Sequence, residues 1–205
     1  MKTVLPIALA TSIVRVPASH CADLSHYDGK VDFGAMQTEG GALAVIWKCT
    51  QGDTYRDPTY LPAQTRARAT GLKWGGYLYL NVSTPPAPQV ENFLAAAHLT
   101  AGDIQPIIDA EAPGLTCDAV FAALDDLAGR GYRPIVYSSL SFWNDVLHAD
   151  TQYPLWLAAY REVLPDLPLS VDLFGWQHTD KGIFPGVSVP CDVSYLYGNL
   201  SEYLI

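Results

Sequence analysis

The feature of this sequence that most constrains its fold is an alternation of short apolar runs with helical segments. Six runs have the composition of buried strands, at 42–48, 74–80, 105–109, 133–138, 154–160 and 172–178. Two further strands are expected to lead into Asp23 and into Asp192. Helices are predicted between the strands, at 58–70, 88–99, 117–128 and 140–147. Such alternation is typical of βα units, which build a parallel sheet.

About eight strands in this arrangement are enough to close a barrel whose interior is filled by side chains. The helix predicted at 117–128 is the best defined, because Thr116 can cap its N-terminus and Gly129 can end it. The segments that join the last strands are too short or too irregular for full helices. We therefore predict an α/β fold, an irregular TIM-like β/α barrel of about eight parallel strands with an incomplete helical layer.

The chain has 205 residues, which is the length of one domain. Near its start, Lys2 precedes an apolar run that Pro6 and Arg15 interrupt. Residues 1–17 are therefore predicted to be either an N-terminal extension or a signal segment. Residues 18–205 are predicted to form a single barrel domain. No run approaches the roughly 20 apolar residues of a membrane span, so we expect no stable membrane association.

The charge of the chain narrows the class of its ligands. The formal net charge is −9, from 12 basic and 21 acidic residues. Binding to a nucleic-acid backbone needs clustered Lys and Arg, so nucleic acid is not an expected partner. Twelve Tyr and five Trp in an acidic chain fit a ligand made of largely neutral sugar rings.

Cysteine and histidine spacing gives no sign of a metal or redox centre. Four cysteines, at 21, 49, 117 and 191, are too far apart for a zinc motif or a CxxC pair, and buried thiols are favoured over disulfides. His20, Cys21, Asp23 and His26 are all ligand types, but their spacing across a strand end gives no common geometry. A glycine-rich phosphate loop is also missing from the sequence. We predict no metal and no cofactor.

Acidic residues stand where the predicted strands meet the barrel mouth. The apolar run 105–109 stops at Asp109, and Glu111 follows two residues later. Side chains of a strand alternate between faces, so these two carboxylates should point the same way, with Cα atoms about 6.6 Å apart. One of two neighbouring acids relieves repulsion by keeping its proton, and a protonated acid beside an ionised one can protonate a glycosidic oxygen. On this spacing alone, a solvated strand end is an equally good interpretation.

Two more acids strengthen the catalytic interpretation. Asp23 and Asp192 are each expected to end a strand, the first and the last of the barrel. Those strands become neighbours when a barrel closes, and functional residues of such barrels gather at the C-terminal ends of the strands. Four acids at this mouth would form a pocket for sugar hydroxyls and for a cationic transition state.

At this point the sequence resembles a known family, glycoside hydrolase family 25, the muramidase (lysozyme) family, whose fold is an irregular β/α barrel. The matching segments follow one order over most of the chain: 23–33 (DLSHYDGKVDF), 44–52 (AVIWKCTQG), 106–111 (PIIDAE), 131–137 (GYRPIVY), 154–160 (PLWLAAY), 176–177 (WQ), 185–186 (PG) and 191–193 (CDV). The first contains the family's DxSxxxG opening. One departure is Gln51, which stands in place of the family's usual Glu.

The resemblance implies hydrolysis of the β-1,4 bond between N-acetylmuramic acid and N-acetylglucosamine in bacterial peptidoglycan, with retention of configuration. If the roles of the family's residues apply at the matching positions, Glu111 is the general acid/base. Asp109 would orient the N-acetyl group of the substrate as that group attacks the anomeric carbon. The residues implied to bind substrate are Asp23, Asp192, Tyr77, Trp156 and Gln177. For Trp156, packing inside the barrel is almost as good an interpretation.

Two other functions remain open at this stage. One is a different N-acetylhexosaminidase, such as a chitinase-type enzyme, although the fuller DxxDxDxE motif of that group is missing around Asp109. The other is a non-catalytic barrel that binds glycans, which would be expected to have lost some of the four acids. The predicted enzyme would act as a monomer at the bacterial cell wall, reached by export or by a phage lysis route.

Overall fold

The computed structural model describes residues 17–148 and 151–205, which form one sheet with helices on its outer side. The strands are β1 (Pro17–Leu24), β2 (Ala42–Gln51), β3 (Tyr55–Arg56), β4 (Lys73–Tyr79), β5 (Ile107–Asp109), β6 (Ile135–Ser139), β7 (Leu155–Ala158), β8 (Leu173–Gly182) and β9 (Cys191–Tyr197). The helices are α1 (Phe33–Thr38), α2 (Tyr60–Thr70), α3 (Pro86–Ala97), α4 (Cys117–Gly129) and α5 (Leu140–Asp145). Short 3₁₀ turns lie at His26–Asp28 and Leu200–Tyr203.

Eight of the nine strands close into a barrel. Their order around it is β1, β2, β4, β5, β6, β7, β8 and β9, and β1 closes the ring because it pairs with both β2 and β9. The short strand β3 folds back on the end of β2 as a hairpin. The predicted irregular β/α barrel of about eight strands is confirmed.

The prediction that every strand is parallel was wrong for β9, which runs antiparallel to both of its neighbours. Only residues 183–190 join β8 to β9, and a parallel connection needs a crossover of a dozen or more residues. Asp192 therefore lies near the start of its strand and not at its end. Since β9 is reversed, its start lies at the same barrel mouth as the C-terminal ends of the other strands, which is where Asp192 was expected.

The helices form a partial outer layer, as predicted. In α4 the Thr116 hydroxyl accepts a hydrogen bond from the backbone N–H of Ala119, and Val120, Leu124 and Leu127 pack against the sheet. The described residues between β7 and β8 form no helix, and neither do those between β8 and β9. The six-residue helix α1 and the hairpin strand β3 were not predicted from the sequence. No helix in the described part of the chain is long and apolar enough to cross a membrane.

Side chains of the barrel strands alternate between an outer core beneath the helices and an inner core inside the ring. The inner core contains Cys21, Ala44, Ile46, Ile104, Ile107, Ile135, Phe174 and Leu196, together with the rings of Tyr137, Trp156 and Tyr203. Full burial of each Ile or Phe side chain contributes about 1.5–3 kcal/mol. Cys21, Cys49 and Cys191 are buried thiols, as expected. The predicted segment 1–17, apart from Pro17, lies outside the described residues.

Candidate active site

Along the barrel strands, the side chains that point inward change from apolar to polar within two residues. Two residues after Ile107, β5 ends at Asp109, which lies in register between Tyr79 of β4 and Tyr137 of β6. The backbone ladder holds this position firmly, because the Asp109 carbonyl accepts a hydrogen bond of 3.0 Å from the N–H of Leu80. Asp109 is only 7% exposed. The same alternation brings Glu111 to the same side, at the solvent-exposed rim.

The other two acids face this pair across the mouth. Asp23 of β1 and Asp192 of β9 are direct partners in the antiparallel ladder. All four acids line one cavity of about 80 Å³, whose walls also include Tyr77, Tyr137 and Trp156. Six of the seven residues proposed from the sequence therefore meet at a single cavity, with Gln177 the exception.

Burial and, for three of the four acids, neighbouring negative charges favour the protonated form of each side chain. Burial, and then the charge of Glu111, raise the pKa of Asp109 well above its usual value. Burial, and then Asp192, do the same to the pKa of Asp23. Burial raises the pKa of Asp192 to about 6, with Asp28 and Asp180 adding to the shift. Burial also raises the pKa of Glu111, against the opposing effect of Lys48.

Lys48, to which the sequence analysis gave no role, places a cation beside the Asp109–Glu111 pair. Burial lowers the pKa of the ammonium, and the charges of Asp109, Asp57 and Glu111 oppose that effect. The ammonium donates a hydrogen bond of 2.7 Å to Gln51 and lies 4.9 Å from the centre of the Tyr79 ring. Lys48 could have been recognised from the sequence, because it lies near the end of β2, at the same barrel mouth as Asp109. Gln51 thus supports the lysine where the family usually has a Glu.

One oxygen of Asp109 has no partner. Its Oδ1 is buried and accepts no hydrogen bond from any residue that the structure describes. A buried carboxylate oxygen without a partner is costly, so this environment favours the protonated form of Asp109 or a donor supplied by a ligand. The carboxyl group of Asp109 lines the cavity, where it can accept a hydrogen bond from a ligand.

Gln177 lies behind the cavity and holds Asp23 in place. Its side chain is only 1% exposed, and its amide nitrogen donates to both Asp23 oxygens, at 2.9 and 3.1 Å. Its oxygen accepts from the hydroxyls of Tyr137, at 2.9 Å, and Tyr160, at 3.1 Å. These contacts fix the orientation of the amide. Tyr137 was missed as a site residue, although it is the last residue but one of the predicted strand 133–138.

Trp156 borders the cavity but is almost completely buried. Its indole N–H donates to the Ser194 hydroxyl at 3.0 Å, and its ring packs edge-on against Tyr137, with centroids 4.7 Å apart. Tyr77 is half-buried, and burial together with Asp109 raises its pKa, so its hydroxyl keeps its proton and can donate. The indole therefore forms the floor of the cavity, and the phenol of Tyr77 offers a polar contact in its wall.

A wider groove begins where the deep cavity ends. It has a volume of about 580 Å³ and adjoins the cavity at Glu111, which lines both. Its walls come from α5 and from the loop after β7, and include Ser141, Asn144, Tyr160 and Arg161. Glu111 therefore lies between a small pocket and an open groove.

Aromatic rings cluster where the 3₁₀ turn after β1 meets the hairpin strand β3. Asp57, whose side chain is fully buried, binds the His26 ring at 2.8 Å and the His26 backbone N–H at 3.1 Å. The Tyr27 ring lies 3.8 Å from the His26 ring, centroid to centroid, and is 81% exposed. The Tyr55 hydroxyl contacts the same histidine at 3.2 Å. Exposed rings held in this way can stack on a sugar.

Comparison with known proteins agrees with this geometry. The sequence profile of glycosyl hydrolases family 25 matches residues 22–187. The "Autolytic lysozyme" of Clostridium acetobutylicum is 32% identical over 177 residues, which are 83% of this chain and 53% of that protein. A family 25 glycosyl hydrolase from Bacillus anthracis has a similar fold, with a TM-score of 0.81 at 19% identity over 92% of this chain and 94% of that one. The bacterial lysozyme from Streptomyces coelicolor gives a TM-score of 0.80 at 20% identity, over 90% and 94% of the two chains.

The matched segment contains three of the four acids at the cavity, and Asp192 lies five residues beyond its end. A match over this much of the chain establishes the family, and the closed barrel is the fold of the structural relatives. The chain belongs to glycosyl hydrolases family 25 and is a glycoside hydrolase.

Proposed function

We propose that this enzyme is a muramidase that cleaves the β-1,4 bond between N-acetylmuramic acid and N-acetylglucosamine in bacterial peptidoglycan. The observation that carries the proposal is the cavity at which the carboxyl group of Asp109 lies next to Glu111, Asp23 and Asp192. The N-acetyl group of a sugar bound at the barrel mouth can enter this cavity, where its amide N–H donates to the carboxyl group of Asp109. The name of the Clostridium relative, a lysozyme, supports the same substrate class.

In the first half of the reaction Glu111 acts as the general acid. In this proposal the bond to be cleaved joins a sugar whose N-acetyl group enters the cavity to the next sugar, which lies in the groove. Glu111 lines both spaces and so would lie beside the glycosidic oxygen. Glu111 gives its proton to that oxygen as the bond to the anomeric carbon breaks. The carbonyl oxygen of the N-acetyl group, oriented through its N–H by Asp109, attacks the anomeric carbon and forms a cyclic oxazolinium ion.

The charges around the pair set the protonation states that this step needs. Burial raises the pKa of both Asp109 and Glu111, and the charge of Glu111 raises that of Asp109 further, which favours one proton on the pair. The amide N–H of the substrate, by donating to the carboxyl group of Asp109, stabilises the ionised form of Asp109 and leaves the proton on Glu111. Lys48 favours a single negative charge on the pair and opposes full protonation.

In the second half Glu111, now ionised, removes a proton from a water molecule. The water attacks the anomeric carbon from the side that the leaving sugar has vacated, the ring of the oxazolinium ion opens, and the configuration is retained. Asp23 and Asp192 stabilise positive charge near the anomeric carbon, and Tyr77 donates to the sugar. Gln177 acts on the reaction through Asp23, whose two oxygens it holds.

The barrel of residues 18–205 is the catalytic unit in this proposal, acting as a monomer on the cell wall. The chain reaches the wall by export, with residues 1–17 as a signal segment, or is released there by a phage lysis route. The relative named an autolytic lysozyme supports a cell-wall substrate.

The test is digestion of purified peptidoglycan by the wild type and by Glu111→Gln, with Glu39→Gln, an exposed Glu on the outside of the barrel, as the matched control. New reducing ends are converted to sugar alcohols with borohydride and identified. We expect muramic acid at the new reducing ends, a loss of about 10³-fold in kcat for Glu111→Gln, and wild-type rates for the control.

Reducing-end glucosamine would move the cleavage to the other bond and overturn the muramidase assignment. Equal rates in wild type and Glu111→Gln would overturn the role of Glu111. A folded wild-type protein that binds peptidoglycan without releasing reducing ends would favour a glycan-binding barrel, and activity on chitin but not on peptidoglycan would favour the chitinase-type alternative.

A further inference from the structure

We infer that Arg161 forms a subsite for carboxylate groups of the substrate, in the groove beside Glu111, and this inference rests on the proposed muramidase function. Arg161 follows β7 by three residues and lines the groove that begins at Glu111. The ligand class is the carboxylate that muramic acid carries, either free on its lactyl ether or on the peptide attached there.

The guanidinium of Arg161 is unused by the protein. In residues 17–148 and 151–205, none of the ion pairs includes Arg161, and no hydrogen bond of its side chain is present. The other arginines on the barrel surface behave differently: Arg68 pairs with Asp103, Arg130 with Asp126 and Arg133 with Asp172. A guanidinium has five N–H donors in a planar fork that matches a carboxylate.

The surroundings of Arg161 do not neutralise it. Asp145 lines the same groove but forms no ion pair with Arg161 within 4.0 Å. Glu111, the other acid of the groove, has a pKa that burial raises, which favours its neutral form. Ser141 and Asn144 add exposed polar groups to the same wall. A cation in this position offsets the repulsion between a substrate carboxylate and a chain of net charge −9.

The size of the groove also fits a sugar that carries a substituent. Its volume of about 580 Å³ is several times that of the deep cavity, so it admits a sugar together with its substituent. The deep cavity of about 80 Å³ leaves no room for a peptide. A bulky, charged substituent of a sugar in the active site would therefore extend along the groove and reach Arg161.

The experiment compares the wild type with Arg161→Ala and Arg161→Lys on three substrates. The first is intact peptidoglycan, the second is the same glycan after an amidase has removed its peptides, and the third is the stripped glycan with its lactyl carboxylates converted to neutral methylamides. The two stripped glycans are attached to beads through their reducing ends, because loss of the peptide cross-links makes them soluble. Cleavage gives KM and kcat, and co-sedimentation with each substrate gives binding independently of cleavage. The matched control is Lys181→Ala, which removes an exposed cation that lies outside the groove.

For Arg161→Ala we expect KM, and the dissociation constant, to rise about 3- to 10-fold on substrates that carry the carboxylate, with kcat unchanged within twofold. Arg161→Lys keeps the charge without the fork and should lose less. The neutral methylamide glycan should not distinguish the variants. An effect on intact peptidoglycan alone assigns the carboxylates to the peptide, and an effect that persists on the stripped glycan assigns one to the lactyl group.

Equal losses on charged and neutral glycans, no loss on any of them, or the same loss in Lys181→Ala would each overturn the inference. A wild type that binds all three glycans but cleaves none overturns the proposed function instead, and the sedimentation data then still decide whether Arg161 reads the carboxylate.

Discussion

Two layers inside the same barrel differ in what they contribute to the enzyme. The lower layer, formed by Cys21, Ile46, Ile107 and Ile135, is apolar and fully buried. The upper layer begins two residues further along the same strands and contains Asp23, Lys48, Asp109 and Tyr137. Both layers are held by the same backbone ladders, so the difference lies in the side chains alone.

The two layers have opposite energetics. Each lower-layer side chain gains free energy by leaving water. In the upper layer burial raises the pKa of Asp23 and Asp109, which means that their charged forms are destabilised by folding. The lower layer stabilises the barrel and so allows it to hold unfavourable charges at the mouth. Variants in the two layers should therefore separate stability from activity.

The largest effect should come from Asp109→Asn in the upper layer. The amide keeps the shape of the side chain but loses the charge that we propose orients the N-acetyl group, so we expect kcat to fall about 10²- to 10³-fold on peptidoglycan. Because folding destabilises the Asp109 carboxylate, the melting temperature at pH 7 should stay the same or rise. Activity assays and thermal melts on the same preparation measure both.

An exposed Asp166→Asn variant is the control, and it should change neither quantity. If Asp109→Asn lowered the melting temperature together with the rate, Asp109 would stabilise the fold. The upper layer would then not differ from the lower layer in its effect on stability.

Ile104→Ala, in the apolar inner core, should lower stability and leave activity unchanged, and we expect this effect to be smaller than that of Asp109→Asn. Ile104 is completely buried, and its side chain lies close to Gly75 on the neighbouring strand. Truncation leaves a cavity in a closed ring that cannot collapse freely, so the free energy of unfolding should fall by about 2–4 kcal/mol. Urea denaturation measures this loss, and kcat per folded molecule should remain at the wild-type value.

Ile183→Ala makes the same chemical change at a side chain that is 91% exposed, and it should leave the free energy of unfolding unchanged. A loss of activity in folded Ile104→Ala would show that the two layers are coupled, and that the lower layer also sets the geometry of the acids.

Much of the fold could be predicted because the strand runs are short, apolar and separated by helices. Seven strands and four helices lie where the sequence predicted them, and the helix caps of α4 agree with it. The direction of β9 could not be read in the same way. The apolar pattern of a strand is the same for either direction. The direction of β9 depends on the length of the connection before it, and that length could not be read because the end of β8 is not marked in the sequence.

The site was predictable to the extent that it depends on strand ends. Asp109, Glu111, Asp23 and Tyr77 follow from that rule and from the resemblance. The contacts of Gln177 could not be predicted, because they join β8 to β1 over 154 residues of chain. The role of Lys48 was missed for a similar reason, since its neighbours Asp109 and Glu111 come from a different strand and its own segment departs from the family pattern at Gln51.

The smallest predicted effect concerns the pH dependence of stability, through Asp192. Burial, with Asp28 and Asp180, raises its pKa to about 6, compared with about 3.9 in an unfolded chain. A raised folded-state pKa means that the native protein binds the proton more tightly. The stabilising contribution is therefore fully present below about pH 4 and is lost as the pH rises through about 6.

Asp192→Asn should not lose stability as the pH rises, because the amide stays neutral. The variant also lacks the negative charge that raises the pKa of Asp23, the ladder partner of Asp192. The variant should match the wild type near pH 4 and exceed it by about 1 kcal/mol at pH 7, a value reduced for the partial exposure of the site. Urea denaturation at several pH values, with Asp166→Asn as the control, measures the difference. A difference that grows toward low pH would mean that the folded barrel favours the ionised form of Asp192, in which case the upper layer would stabilise the barrel instead of opposing it.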